Sequence, residues 1–208
     1  MALVISDPSK YIKFFGLRTH GMLPNGKPAT EIVYVHSKMM IVDDKVALIG
    51  SANINDRSMM GSRDSELAVV VEDTKKVESK MGCNWYVAND FSHSLRVRCF
   101  QQIFGFTDPK EVSDPLDPQM WVDIHKRVSI NTAVYREVFG CYPDNLARVT
   151  SDTTTLIERA DPSKYSDLSK DIKGLAVEFP LDFLSGEDLK TMKHFEFGLL
   201  IVPNYVFT

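Results

Sequence analysis

Apolar residues follow two different spacings along this chain. Between residues 30 and 73 they form short runs rich in β-branched and aromatic side chains, such as EIVYVHSKMMIV at 31–42 and VALIG at 46–50, and such runs are typical of strands. Further on they recur at every fourth position, which predicts an amphipathic helix ending near Gly105, through Val87, Phe91, Leu95, Cys99 and Ile103. We therefore expect an α/β fold in which a mixed β-sheet is flanked by helices.

The rest of the chain is divided by polar and proline-rich segments. These predict loops, at 74–84 (TKKVESKMGCN), 108–119 (DPKEVSDPLDPQ) and, with short helical pieces, 144–172. A second helix is predicted over about Met120 to Phe139, with a break near Asn131. GLAVEFP at 174–180 predicts a late strand, and the apolar segment GLLIVPNYVF at 198–207 is expected to be docked into the fold.

His36 and Lys38 lie two positions apart in the apolar run 31–42. Side chains alternate along a strand, so both are expected on the same side. An imidazole beside an ammonium is unfavourable in a core, because a buried lysine needs a partner of opposite charge. An anion such as phosphate would hold Lys38 charged, while His36 could attack phosphorus or transfer a proton near neutral pH. The alternative is an ordinary histidine with a lysine that reaches solvent at a strand end.

Asp43 follows this strand, and Asp43-Asp44-Lys45 has the composition of a tight turn between two apolar runs. The pattern therefore predicts a β-hairpin. Asp43 is five positions from Lys38, so alternation places it on the opposite face. We expect Asp43 to order the turn and not to touch substrate.

The second hairpin strand leads into Gly50-Ser51-Ala52-Asn53. Glycine lets the backbone leave the strand closely, and Ser51 and Asn53 then provide neutral hydrogen-bond donors. Such donors near a lysine suit the non-bridging oxygens of a phosphodiester. The alternative is a Ser/Asn turn or a helix N-cap.

Glu66 stands at the start of SELAVVVED, a further apolar run that predicts a strand. A carboxylate in this position could accept the second ring N–H of a catalytic histidine and so fix its tautomer. The alternative is a surface salt bridge from Glu66 to Arg57 or Arg63.

Together these residues fit the pattern HxKx4Dx6GSxN, the signature of the phospholipase D superfamily. The chain resembles the C-terminal, second-motif half of a eukaryotic phospholipase D. The resemblance extends over roughly residues 9–208, including YIKFFGLRTHGMLPNGKPATEIVYVHSK and GLAVEFPLDFLSGEDL, and is closer to the PX/PH-bearing class than to the C2-bearing plant class. It implies that 1–208 form one half of the bilobed phospholipase D fold, with a motif core at about 30–73 and a helical and C-terminal region at 86–208.

The resemblance also implies a reaction. Phosphatidylcholine is cleaved to phosphatidic acid and choline, or transferred to a primary alcohol, through a phosphohistidine. His36 is then the second-motif histidine, more often the general acid and later base, and Lys38, Ser51 and Asn53 bind phosphate. Glu66 hydrogen-bonds the histidine of the other motif. Asp43 completes the set of motif residues, and neither a metal nor a cofactor is expected.

Enzymes of this family build one active site from two motifs, and this chain carries one. None of the other histidines (His20, His93, His125 and His194) has a lysine two positions later. The expected partner is therefore the first-motif half of a longer chain, or a second copy in a homodimeric single-motif phosphodiesterase. The remaining alternative is a half-enzyme that is inactive or that complements another half.

Composition changes this picture little. The chain has 208 residues with a net charge of −4, which gives no indication of nucleic acid as a partner. No signal peptide is expected, and no apolar run approaches the ~20 residues of a transmembrane helix. Three widely spaced cysteines are typical of reduced thiols in a cytosolic protein. We expect a cytoplasmic protein bound peripherally to a phospholipid membrane surface.

Overall fold

The computed structural model of the chain describes residues 7–188. These residues form eight strands and five α-helices. The strands are β1 (Phe15–Met22), β2 (Pro28–Ile32), β3 (Lys38–Val42), β4 (Val46–Gly50), β5 (Ala68–Val71), β6 (Lys76–Met81), β7 (Asn84–Asn89) and β8 (Ala176–Glu178). The helices are α1 (Asp56–Met59), α2 (Asp90–Phe104), α3 (Pro118–Phe139), α4 (Thr150–Glu158) and α5 (Tyr165–Leu168).

The first of two compact units comprises residues 7–34, 102–105 and 122–185. Its three-stranded sheet has the order β2–β1–β8, and both ladders are antiparallel. Helix α3 contacts this sheet, because the Tyr135 hydroxyl donates to the Arg18 carbonyl and the Asn131 amide to the Ala176 carbonyl. The buried residues of α3 in this unit follow spacings of three and four, which place them on one helix face: Ile124, Val128, Asn131, Val134, Tyr135 and Val138.

The second unit comprises residues 35–101, 106–121 and 186–188 of the described chain. It contains the sheet β3–β4–β5 and the hairpin β6–β7, again with antiparallel ladders. Six apolar residues are buried in the described part of this unit. They come from strands, helices and loops: Ala47, Ala88, Val97, Phe106, Val112 and Met120. Several polar residues are buried with them, and one of these, Asp44, belongs to the hairpin that carries the motif.

The prediction of one continuous strand over 31–42 is wrong. β2 ends at Ile32 and pairs with β1, whereas β3 begins at Lys38 and pairs with β4. The chain leaves one sheet and enters another between these strands, so the backbone cannot continue a single ladder. His36 precedes β3, and strand alternation therefore does not relate His36 to Lys38.

The predicted polar connection at 74–84 is also wrong, because it forms β6, a turn and the start of β7. Exposure alternates at every residue from Lys76 to Met81, as expected for a strand with one face toward solvent. The turn is held by Asp114, whose carboxylate accepts from the backbone N–H groups of Gly82 and Cys83 at 2.9 and 2.6 Å.

The predicted break in the second long helix is absent, since α3 is continuous from Pro118 to Phe139. Asn131 does not compete for its own helix backbone. Its side-chain nitrogen donates to the carbonyls of Lys173 and Ala176, both at 2.8 Å, and its oxygen accepts from the Lys173 N–H at 2.9 Å. These three bonds satisfy a buried amide inside a regular helix.

Other predictions are confirmed. The fold class is α/β, with sheets flanked by helices. Helix α2 ends before Gly105, whose φ of 71° is the left-handed conformation that glycine adopts after a helix, although Val87 lies in β7 and the helix begins only at Asp90. The late strand is β8, and α4 and α5 are the short helices of 144–172. The segment 198–207 lies outside the described residues.

No helix within residues 7–188 combines the length and apolar character needed to cross a membrane.

Candidate functional site

The motif residues lie on the β3–β4 hairpin, which has a turn at one end and is open at the other. At the turn, the Lys45 N–H donates to the Val42 carbonyl at 2.9 Å. Asp43 and Asp44 occupy the two central positions with φ of 52° and 51°, the left-handed values that hairpin turns require and aspartate tolerates. At the open end Lys38 pairs with Gly50. The hairpin thus brings the HxK and GSxN segments together.

Lys38 is the first residue of β3, and its ammonium folds back toward the preceding segment. Its Nζ donates to the His36 carbonyl at 2.5 Å, and the His36 side chain is exposed. The lysine is only partly exposed. The positive charge is therefore held beside the histidine by a local hydrogen bond rather than by the strand geometry that the sequence suggested.

Ser51 and Glu66 form the best-defined contact at the open end. The Ser51 N–H donates to the Leu67 carbonyl at 3.0 Å, which continues the β4–β5 pairing by one residue. The Ser51 hydroxyl accepts from the Leu67 N–H at 3.0 Å and donates to Glu66 Oε2 at 2.5 Å. Glu66 is thus fixed beside the GSxN segment by its neighbour in the sheet.

The hydrogen bonds from Ser51 and, next, Ser58 hold the pKa of the Glu66 carboxyl below its usual value, and the charge of Lys38 acts in the same direction. Glu66 remains solvent-exposed, so it is ionised and accessible at neutral pH.

Gly50 is required by the close approach of β4 and β5. A Cβ at this position would lie 2.7 Å from the Leu67 carbonyl oxygen and 2.8 Å from the Ala68 Cβ. A side chain would force the two strands apart and carry Ser51 away from Glu66. The glycine of the motif therefore sets the geometry of its serine.

Asn53 lies in the exposed segment after Ser51, where its backbone N–H donates to the Ser58 hydroxyl at 3.1 Å. The N-cap of the short helix α1 is Asn55, whose side chain accepts from the Ser58 N–H at 3.0 Å. The N-cap alternative thus applies to Asn55 and not to Asn53, whose exposed amide remains available for the predicted phosphate contact.

The alternative of an ion pair between Glu66 and Arg57 is not what the structure contains. Arg57 makes a two-bond contact with Asp64, with Nε and Nη2 at 3.1 and 3.2 Å from the carboxylate oxygens. Because this fork-shaped pairing occupies the guanidinium, Glu66 is held by hydroxyl groups instead.

The turn end of the hairpin contains a buried ion pair that the sequence analysis missed. The Asp44 carboxylate, 2% exposed, accepts from Arg96 Nε and Nη2 of α2 at 2.8 and 2.7 Å, and His93 Nδ1 lies 2.9 Å from it. Arg96 also donates to the carbonyls of Val112 and Ser113. We call Asp44, His93 and Arg96 the turn clamp.

Burial alone would raise the pKa of the Asp44 carboxyl. The hydrogen bonds and charges of Arg96 and His93 outweigh burial and hold that pKa below its usual value. The apolar pattern of the sequence did not indicate this pair. It predicted a face through Phe91, Leu95 and Cys99, whereas Arg96 and Val97 are buried. The partner of Arg96 could not be read from the sequence, since Asp44 is 52 positions away.

Asp43, the aspartate of the motif, is exposed at the same turn. Its backbone carbonyl accepts from the Tyr86 hydroxyl at 2.8 Å. Asp43 thus lies at the opposite end of the hairpin from Lys38, and the expectation that it does not touch substrate stays a prediction. The carboxylate that anchors the turn is Asp44.

The open end of the hairpin is suited to an anionic group. It presents an ammonium, a hydroxyl and an imidazole-bearing segment at the surface, together with an ionised carboxylate that can orient a further donor. A phosphodiester has two non-bridging oxygens that need such neutral and positive donors. The arrangement is chemically suited to one side of a phosphate site, and the predicted phosphate contacts stay a prediction.

A family model described as Phospholipase D matches residues 25–138, more than half of the chain. The chain is also 43% identical to Phospholipase D1 of Homo sapiens over 190 residues, which cover 86% of this chain. It belongs to the phospholipase D family. Phospholipase D zeta 1 of Arabidopsis thaliana is 40% identical over 213 residues, and Phospholipase D2 of Bos taurus is 41% identical over 194 residues; each match covers 86% of this chain.

The chain spans about a fifth of the length of these family members. The matched segments make up 17%, 19% and 20% of the human, Arabidopsis and bovine proteins, respectively. The closer resemblance to the PX/PH-bearing class of the family stays a prediction.

Proposed function

We propose that this chain supplies one of the two HKD motifs of a phospholipase D that hydrolyses phosphatidylcholine to phosphatidic acid and choline. Identity to phospholipases D over most of the chain supports the reaction class. The observation that carries the assignment to this hairpin is the arrangement at its open end. There Lys38 donates to the His36 carbonyl and pairs with Gly50, and the neighbouring Ser51 donates to Glu66.

In the first step, the histidine of the other motif attacks phosphorus and the bond from phosphorus to the choline oxygen breaks. His36 gives its proton to that oxygen, and choline leaves. Lys38 and Asn53 donate to the non-bridging oxygens, whose charge must be balanced as the phosphorus centre becomes crowded. Ser51 joins them when its single hydroxyl proton, which otherwise bonds Glu66, turns to the phosphate. Glu66 accepts the second ring N–H of the attacking histidine and keeps its nucleophilic nitrogen unprotonated.

In the second step, His36 accepts a proton from water as the water oxygen attacks phosphorus. The phosphorus–nitrogen bond breaks, phosphatidic acid leaves and both histidines return to their starting states. A primary alcohol that replaces water gives the phosphatidyl-alcohol instead. Asp43 has no part in these steps beyond the shape of the turn.

The partner in this scheme is the first-motif half of the same longer chain. The exposed apolar surface of the β3–β4–β5 sheet supports the proposal that a partner covers it. Two rows of apolar residues cross this sheet, Met39–Ile49–Val69 on one face and Met40–Leu48–Val70 on the other. Five of these six side chains are 40–58% exposed within the described chain. Strands that are apolar on both faces are normally covered on both faces, and exposed apolar surface of this kind marks an interaction site.

The substrate is presented at a phospholipid bilayer, so we propose that the assembled enzyme associates peripherally with a membrane surface on the cytoplasmic side. The three cysteines of the described chain are free thiols, which is compatible with a reducing compartment.

The test is choline release and alcohol transfer from phosphatidylcholine vesicles, measured with the 208-residue chain alone and with an added first-motif half from a relative. His36→Ala and Lys38→Ala are expected to abolish activity, because they remove the acid and the phosphate contact. Lys80→Ala is the matched control, since Lys80 is an exposed lysine on β6. Activity only with the added half supports the two-motif enzyme.

Other outcomes separate the alternatives. Activity of the chain alone that rises with the square of protein concentration would indicate the homodimeric phosphodiesterase. Activity that persists in His36→Ala would overturn the assignment of the acid. Inactivity in the presence of the added half, with binding of that half demonstrated by sedimentation, would indicate a complementing partner without catalytic function.

A further inference from the structure

The first compact unit contains a cavity that has no part in the proposed phosphodiester chemistry. It has a volume of about 220 Å³ and lies where β1, β2 and β8 meet α3 and the segment after it. Most of its wall is apolar, and the apolar residues include Leu17, Ile32, Val177, Phe179 and Pro180. Ile32 is exposed and stands at the surface, so the cavity is reached from solvent.

The cavity exists because the β1 residue that pairs with β8 at this point, Gly16, has no side chain. Gly16 faces Val177 across the ladder, and a Cβ on Gly16 would lie 3.2 Å from Val177 Cγ2. A larger side chain at this position would occupy the cavity. Apolar cavities of this size do not retain water well and bind apolar molecules.

One cationic side chain, Arg18, lines the cavity and has no carboxylate partner within residues 7–188. The guanidinium of Arg18 contacts uncharged groups. Nη1 lies 3.5 Å from the Thr30 hydroxyl, and the guanidinium carbon lies 5.8 Å from the centre of the Tyr135 ring. A half-buried guanidinium with such weak partners is expected to attract an anionic group, which it can bind through two parallel hydrogen bonds.

Two carboxylates also line the cavity, and neither pairs with Arg18. Asp144 accepts from Arg136 Nε at 2.8 Å and from the Leu146 N–H at 2.8 Å, so its charge is already balanced. Glu178 also lines a neighbouring cavity together with Lys13 and His125. Burial and then Lys13 lower the pKa of His125, and the charge of Glu178 opposes them. Arg18 is thus the cation of the cavity wall, and its guanidinium contacts neutral groups.

We propose that this cavity binds a medium-chain carboxylate, with the alkyl chain in the apolar space and the carboxylate on the guanidinium of Arg18. The combination of an apolar enclosure and one unpaired cation at its wall matches the two ends of such a molecule. This proposal does not rest on the phospholipase activity, because it concerns the first unit and involves none of the motif residues.

The cavity contains its own reporter, the Cys141 thiol, which lines it and contacts Arg18 and Thr30. Burial raises the pKa of this thiol, so it reacts slowly with alkylating reagents, and a ligand in the cavity will slow it further. Cys83 is exposed and provides an internal reference in the same protein.

The experiment measures alkylation of Cys141 and Cys83 in the 208-residue chain by mass spectrometry, at increasing concentrations of octanoate. Octanoate is expected to protect Cys141 and leave Cys83 unchanged. Acetate lacks the alkyl chain and 1-octanol lacks the charge, so each should protect only at much higher concentration. Octanoate affinity should fall about ten- to a hundredfold in Arg18→Met, the range expected when a charge-assisted hydrogen bond is lost.

Arg148→Met is the matched control, because Arg148 is an exposed arginine of the same unit that does not line the cavity. Its octanoate affinity should equal that of the wild type. Protection by 1-octanol as strong as by octanoate, or an unchanged affinity in Arg18→Met, would overturn the role of Arg18. Absence of protection by octanoate in the wild type would overturn the site itself, whether or not the variants fold.

Discussion

The two ends of the β3–β4 hairpin differ in almost every physical respect, although each strand has only five residues. At the turn, the Asp44 carboxylate is buried and fully paired within the turn clamp. At the open end, the charged groups of Lys38 and Glu66 are held by local hydrogen bonds and remain accessible. The turn end anchors the hairpin to α2, and the open end presents polar groups to solvent. Substitutions at the turn end should therefore affect mainly the stability of the fold. Substitutions at the open end should also affect the titration and chemistry of the motif residues.

The largest effect is expected from Asp44→Asn at the turn. The substitution leaves Arg96 buried without its counter-ion, and loss of one partner of a buried ion pair typically costs about 3–5 kcal/mol of the free energy of unfolding. Urea denaturation of the 208-residue chain measures this loss in the free energy of unfolding. Asp43→Asn is the matched control, since Asp43 is exposed and asparagine tolerates its positive φ, and it should change stability by less than about 0.5 kcal/mol. Equal losses in the two variants would remove the distinction between the neighbouring aspartates.

A second effect concerns pH, because the pKa of Asp44 is lowered by folding from a value near 3.8. A carboxyl with a lowered pKa stabilises the fold above its unfolded-state pKa, and this contribution is lost as the pH falls through the folded-state pKa. The stability difference between wild type and Asp44→Asn should stay constant from neutral pH to about 4 and shrink below it. Urea denaturation at a series of pH values tests this, and a difference that shrinks mainly above pH 5 would contradict it.

An intermediate effect is expected from Gly50→Ala at the open end. The added methyl group meets the Leu67 carbonyl and Ala68, and overpacking of this kind costs about 1–3 kcal/mol. The control is Gly21→Ala in β1, where a Cβ has nothing within 4 Å. Thermal or urea unfolding compares the two variants. If both glycines tolerate alanine equally, the close approach of β4 and β5 does not determine the position of Ser51.

The smallest effect is a change of titration rather than stability. Ser51→Ala removes the strongest hydrogen bond to Glu66, so the pKa of this carboxyl should rise toward its usual value of 4.5. An NMR pH titration of the glutamate side chains follows it. Ser94→Ala, which alters an exposed hydroxyl on α2, should leave the Glu66 pKa unchanged. A Glu66 pKa that does not respond to Ser51→Ala would mean that the two side chains are not bonded in solution.

The hairpin was predictable from sequence because its causes are local. Two apolar runs flank a pair of aspartates that tolerate a left-handed turn, and the position of Lys38 opposite Gly50 follows once the strands pair. The identity of the buried carboxylate was not predictable. Asp43 and Asp44 are identical side chains at adjacent positions, and they are distinguished by Arg96 and His93, from a helix far along the chain.

The same limit explains the wrong predictions. Residues 31–42 have a continuous strand-like composition, and nothing local marks the point where the chain passes from the β1–β2 ladder to the β3–β4 ladder. Asn131 suggested a helix break because asparagine usually competes for nearby backbone groups. Its actual partners, Lys173 and Ala176, come from a segment more than forty positions away. Local propensity was reliable where partners were near and failed where they were distant.

The paired aspartates have a consequence for which substitutions the hairpin will accept. The residue at position 44 must meet two unrelated requirements. Its backbone must adopt a left-handed conformation, and its side chain must place a negative charge within hydrogen-bond distance of Arg96. Glycine and asparagine meet the first requirement without the second, and glutamate carries the charge on a longer side chain at a φ it tolerates poorly. Position 43 faces only the first requirement. In a saturation library scored for folding, position 43 should therefore accept a small group of turn-forming residues, whereas aspartate should be the sole residue retained at position 44.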